Sequence, residues 1–215
     1  MNTLIFIIYY NIFFTCMNSI LTYINYEDKI KRLILTINIL SFLINSYIPY
    51  ISMLYFFNYI SLEKCIIIQI PIFISYLLCD CINMIKYKNF NKYETWFHHI
   101  VSMMGTFSIN IEKSINYLYP LIMFTEISTP FLCISDTFKN IQYLQKSYPN
   151  INKCSRIMFV ITFLSTRILL MTYEMVPVIL YTKISILIKI LMVLFLMLQY
   201  YWGYSIYKII IKLLK

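Results

Sequence analysis

The chain has 215 residues (26.0 kDa), is 60% hydrophobic and 13% charged, and carries a net charge of +9 with a mean hydropathy of +0.72. Soluble domains carry about 25% charged residues, so these values exclude a soluble enzyme, a disordered chain and a secreted disulfide scaffold. They predict an all-α, polytopic membrane protein, and at about 20 residues per span the length leaves nothing over for a separate soluble module.

Seven apolar runs are expected to span the bilayer, at about 2–25, 33–57, 65–85, 95–111, 117–138, 157–181 and 184–207. The first is too long for the apolar core of a signal peptide, has no basic residue before it and is followed by Lys29, Lys31 and Arg32. It is read as a retained N-terminal helix (1–27), with residues 28–215 forming the main membrane domain. Pro49, Pro71, Pro130 and Pro177 fall inside spans, where neighbouring helices can satisfy the freed carbonyls. The stretch from about Lys139 to Arg156, with Pro149, reads as a connector. Ala is absent and Gly occurs twice, so small-residue packing must lean on Ser and Thr. Cys16, Cys65, Cys79, Cys81, Cys133 and Cys154 form no CxxC pair and read mainly as buried thiols.

The basic residues set an orientation. Thirteen fall in the loops after spans one, three and five and in the C-terminal tail, against Lys64, Lys113 and Lys183 on the opposite side. By the positive-inside rule the N-terminus is outside or lumenal and the C-terminus cytoplasmic. The surplus charge then faces anionic headgroups, and no nucleic acid partner is implied.

An ionisable group inside hydrocarbon costs about 2.5–3.5 kcal/mol on insertion scales, so each calls for a partner or a wet cavity. Asp80, His98, His99, Glu126, Asp136, Arg167 and Glu174 are therefore the informative side chains. Helical spacing puts Gln69, Phe73, Tyr76, Asp80 and Asn83 on one seam, and Thr95, His99, Ser102, Thr106 and Asn110 on the next. Later seams run through Glu126, Thr129, Cys133 and Asp136, through Arg167 and Glu174, and through Gln199 and Gly203. Seams of Asn, Ser and Thr alone fit ordinary interhelical bonding. Arg167 is expected to pair with Glu126, either to fix packing or to anchor an anionic headgroup. His98 and His99 are the only histidines. Either they are core side chains bonded to Ser or Thr, or one is a general base oriented by Asp80 or Asp136. Two adjacent histidines chelate poorly, so no metal is expected.

Several ordered pieces resemble the TLC-domain family: Tyr76-x-x-x-Asp80, Trp96 to Gly105 (WFHHIVSMMG), Thr125 to Leu132 (TEISTPFL), Phe163-x-x-x-Arg167 and Leu198 to Ile210. The resemblance runs from about residue 28 to 212. It implies six helices around a central cavity plus an extra N-terminal helix, in an endoplasmic-reticulum-type membrane. Ceramide synthases of that family share the His-His pair but carry H-D-x-x-D on the following helix. Here that stretch reads Phe124-Thr125-Glu126-Ile127-Ser128-Thr129, which is closer to the non-synthase branch.

Two functions follow as expectations. The first is a protein that binds lipid or acyl chains and influences membrane lipid composition, with no cofactor. Asp80, Ser102, Thr129, Asp136 and Arg167 would then line the headgroup site, together with His98, His99 and Glu126. The second is an N-acyltransferase using acyl-CoA, with His98 or His99 as general base and Glu126 as its partner.

Overall fold

The computed structural model describes residues 8, 12, 15, 29–86 and 93–214. The first expected span lies outside these apart from Ile8, Ile12 and Thr15, which are helical; Cys16, Lys88 and Lys92 also lie outside. Among the described residues all regular structure is helical.

Helix α1 (Lys29–Phe56) ends in a left-handed turn at Asn58, where φ is 60°. Asparagine tolerates this conformation. The Tyr59 N–H then donates to Leu54 O at 2.8 Å and the Asn58 N–H to Tyr55 O at 2.9 Å, satisfying carbonyls that a helix end otherwise orphans. The Ser61 hydroxyl accepts from the Lys64 N–H at 3.3 Å, and α2 (Leu62–Lys86) follows. Gln69, fully buried on α2, donates to Ile48 O and Ser52 Oγ on α1, each at 2.8 Å. Helix α3 is Tyr93–Ile111. Helix α4 (Leu118–Phe124) passes through a 3-10 turn (Thr125–Ser128) into α5 (Thr129–Asn140). Next come α6 (Gln142–Ser147), α7 (Pro149–Thr162), a π-helical segment (Phe163–Leu170), α8 (Met171–Tyr181) and α9 (Ile186–Leu214).

Packing closes these into a ring of six rods. Helix α1 packs on α2 and on α4–α5, α2 on α3, α3 on α9, α9 on the π segment and α8, and α7 back on α5. On α3 the periodicity is plain: Ile100, Met104, Phe107 and Ile111 face outward while His99, Ser102 and Thr106 are buried. Apolar residues pointing outward on so many faces suit a hydrocarbon solvent and would be a liability in water.

By length and composition five stretches can cross a membrane: Leu33–Phe56, Leu62–Ile85, Leu118–Asn140, Pro149–Tyr181 and Ile186–Ile211. Helix α3 is not among them, because Glu94, His98, His99 and Asn110 dilute its 19 residues. The expected seven spans thus become, among the described residues, six packed rods of which five are apolar enough. The connector from Lys139 to Arg156, expected as a loop, is mostly helix, as α6 and the first turns of α7. Its Asn and Lys content suggested a loop, but Pro149 sits at the first turn of α7, where a missing N–H does no harm.

Gly203 on α9 is a close-approach site. A Cβ there would lie 3.2 Å from Ile168 Cδ1 and 3.9 Å from the Phe163 ring. Because that methyl is the free end of a flexible side chain, Gly203→Ala is expected to stay within about 1 kcal/mol of wild type, helped by alanine's helix propensity. Gly203→Leu should cost about 1–3 kcal/mol by overpacking. Unfolding of the detergent-solubilised protein, followed by circular dichroism, measures both.

Candidate functional site

Two polar clusters meet one apolar cavity inside the ring. The first begins with a proline. Pro130 has no N–H to offer the carbonyl of Glu126 four residues back, and the Thr129 N–H donates to that carbonyl instead. The helix tightens into the 3-10 turn, and Glu126 sits in it, 6% exposed. Across the interior, Arg167 (5% exposed) projects from the π segment, a helix type common at functional positions.

The two charges meet at 2.7 Å, Arg167 Nη2 donating to Glu126 Oε2. Nη2 also donates to Thr129 Oγ1 at 2.9 Å, and Nε to Ser128 Oγ at 2.9 Å. Thr129 Oγ1 in turn donates to Glu126 Oε2 at 2.7 Å. The guanidinium carbon lies 5.8 Å from the centre of the Phe163 ring. The expected Arg167–Glu126 pair is therefore present, held by Glu126 and Ser128 of the 3-10 turn and by Thr129 at the start of α5. Glu174, expected on the same stripe as Arg167, is only half-buried. A π segment turns less per residue, so seven residues no longer make two turns.

The second cluster holds the histidines. His99 Nε2 is 2.7 Å from Asp80 Oδ2, joining α3 to α2. His99 Nδ1 is buried without a hydrogen-bond partner. His98 turns toward α9. Its ring centre lies 5.1 Å from that of Trp202 and 6.1 Å from that of Phe195, and its Nδ1 is 3.4 Å from Ser102 Oγ. Neighbouring helical positions diverge by about 100°, and the two imidazoles accordingly serve different interfaces. The carboxylate beside a histidine is Asp80. Glu126 belongs to Arg167, and Asp136 accepts from Asn38 Nδ2 at 3.2 Å, tying α5 to α1.

Between and beyond the clusters lies a narrow cavity. It offers about 40 Å³ to the centre of a water-sized sphere and about 540 Å³ of empty space counting its mouth. Ser102, Thr106, Ser108 and Glu126 are among its lining residues, beside Phe73, Ile109, Met123, Met175, Ile188 and Met192, and the surface it presents is almost wholly apolar. Ser102 and Glu126 thus connect the histidine cluster and the arginine cluster to the same space. Asp136, Arg167 and the two histidines do not line it. Among the described residues no three His, Cys, Asp or Glu side chains are placed to share a metal ion.

Sequence reasoning singled out no site role for Ser128, Gln199 or Gly105. Ser128 clamps Arg167 only because the 3-10 turn brings it round, which helical spacing hides. Gln199 is fully buried with neither carboxamide atom partnered; its place on the Gln199–Gly203 stripe was the available signal. Gly105 lines the cavity.

A family model described as the TLC domain matches residues 56–208, well over half of the chain, and the protein belongs to that family. No curated protein and no solved structure matches it.

Proposed function

We propose that this TLC-domain protein binds a lipid or acyl chain within its helix ring and so influences membrane lipid composition. Its place would be the endoplasmic reticulum or a related endomembrane, its partners the membrane lipids. The observation that carries this reading is the cavity itself: its surface is almost wholly apolar, and Glu126, paired with a buried arginine, is among its lining residues. Such an arrangement solvates a hydrocarbon chain. His98, His99, Asp80, Thr129 and Arg167 stand behind Ser102 and Glu126, and no cofactor is called for. The distribution of basic residues supports a cytoplasmic C-terminus and a lumenal N-terminus.

The test is to purify the protein in mild detergent and analyse it by native mass spectrometry. A lipid or fatty acid should co-purify at near one equivalent. Delipidated protein should take it up again, and Ser102→Phe should reduce uptake at least tenfold. Protein that folds but binds no chain in either assay would refute the reading.

The His99–Asp80 contact favours a second reading, acyl transfer from acyl-CoA to a long-chain amine. The amine nitrogen would attack the thioester carbonyl, forming the N–C bond as the C–S bond breaks. Imidazole would take the amine proton and return it to the leaving thiolate. Positioned general bases contribute about 10²–10⁴-fold. Labelled product formed by wild type and lost by that factor in His99→Ala would replace the first reading with this one.

A further inference from the structure

Glycine in the middle of a helix is destabilising relative to alanine unless something requires it. This chain has two glycines, both within helices. Neither has a positive φ, so backbone conformation explains neither. Gly203 has a packing reason, the 3.2 Å approach of Ile168. Gly105 has none: a Cβ built on it would find nothing within 4 Å. What it does is line the cavity. It stands one helical turn beyond Ser102 and one turn before Ile109, both of which also line the cavity.

We infer that Gly105 is a specificity-determining residue: the missing side chain opens the cavity wall so that one unbranched hydrocarbon chain can pass between α3 and α9. The inference rests on the lipid-binding reading and adds the class of ligand. Room for the centre of a water-sized sphere is about 40 Å³, only a few times the ~10–15 Å³ that one water requires. A ligand must therefore part the cavity's side chains as it enters, which a flexible methylene chain does more readily than a rigid fused ring system. Thr106 is buried beside it, and Met192 and Phe195 come from the facing helix. Gly105 is half-buried and lines the cavity, so a longer side chain there would narrow that space.

The experiment uses a C16 fatty acid carrying a mid-chain diazirine, photolysed with the full-length protein in detergent, with labelled residues located by mass spectrometry. Wild type should be labelled on cavity residues such as Met175 and Met192. Unlabelled palmitate should compete and cholesterol should not. Gly105→Ala should label slightly less and Gly105→Leu at least tenfold less. Both should melt at or above the wild-type temperature, while Ile100→Phe, on the outward face of α3, labels as wild type. Undiminished labelling of Gly105→Leu at Met192 overturns this inference and leaves the lipid-binding reading standing. Absence of cavity labelling in wild type overturns both. A Gly105→Leu protein that fails to fold also overturns the inference, because open space does not reject a side chain. Equal competition by cholesterol removes the single-chain class.

Discussion

Arg167→Met is expected to destabilise the protein by about 3–5 kcal/mol, the cost of leaving one member of a buried ion pair unpaired. The side chains of Arg167 and Glu126 are 6% and 8% exposed, so water cannot stand in for the lost partner. The guanidinium also holds the 3-10 turn together through Ser128 and Thr129, and those hydroxyls lose their donor at the same time. The cost lies in the stranded carboxylate, more than in any attraction forfeited. Hence Arg167→Met/Glu126→Gln should recover most of the stability, since a neutral amide still accepts the Thr129 hydroxyl. Equilibrium unfolding of the three proteins in one detergent, scored as a double-mutant cycle, measures the coupling. An Arg167→Met protein as stable as wild type would show that the pair is wet, and the account of a charge-neutralised pair at the cavity wall would go with it.

That pair was readable from the chain alone, because an arginine and a glutamate at similar depth in adjacent spans have few other ways to avoid hydrocarbon. The seams were readable for the same reason. Gln69, Phe73, His99, Ser102, Thr106, Glu126, Cys133 and Gln199 are all buried, as a shared interior requires. Three things were hidden, each for a physical cause. Backbone register is not encoded in hydrophobic periodicity, so the 3-10 turn at Glu126 and the π segment at Arg167 went unseen, and Glu174 was placed on the wrong stripe. Pro130 inside a run could have announced the first, since its missing N–H must tighten or break the turn before it. The polar start of α7 looked like a loop because composition was weighed above the helix-opening signal of Pro149. Finally, two carboxylates at equal depth, Asp80 and Asp136, offered the same partner to His99. Only the ring order, with α2 beside α3 and α1 beside α5, decides between them.

That choice of Asp80 leads to a result in which two substitutions at one position should part company. Asp80→Leu removes the acceptor from His99 Nε2, which has no other partner, on a residue only 4% exposed. Stranding a buried donor costs about 1–3 kcal/mol. Asp80→Asn keeps an acceptor oxygen at the same reach and should unfold within about 1 kcal/mol of wild type. The neutral amide differs from the carboxylate in one respect that matters to function: it does not stabilise an imidazolium. If His99 only braces α3 against α2, Asp80→Asn retains bound lipid in full, and that is the outcome the lipid-binding reading requires. If His99 moves a proton during acyl transfer, the same variant folds normally and loses about 10²-fold or more of its turnover. Unfolding and lipid retention measured side by side on Asp80→Asn and Asp80→Leu therefore separate a strut from a base. A normally folded Asp80→Asn protein that has shed its lipid would fit neither role and would move the headgroup contact to the Asp80 carboxylate itself.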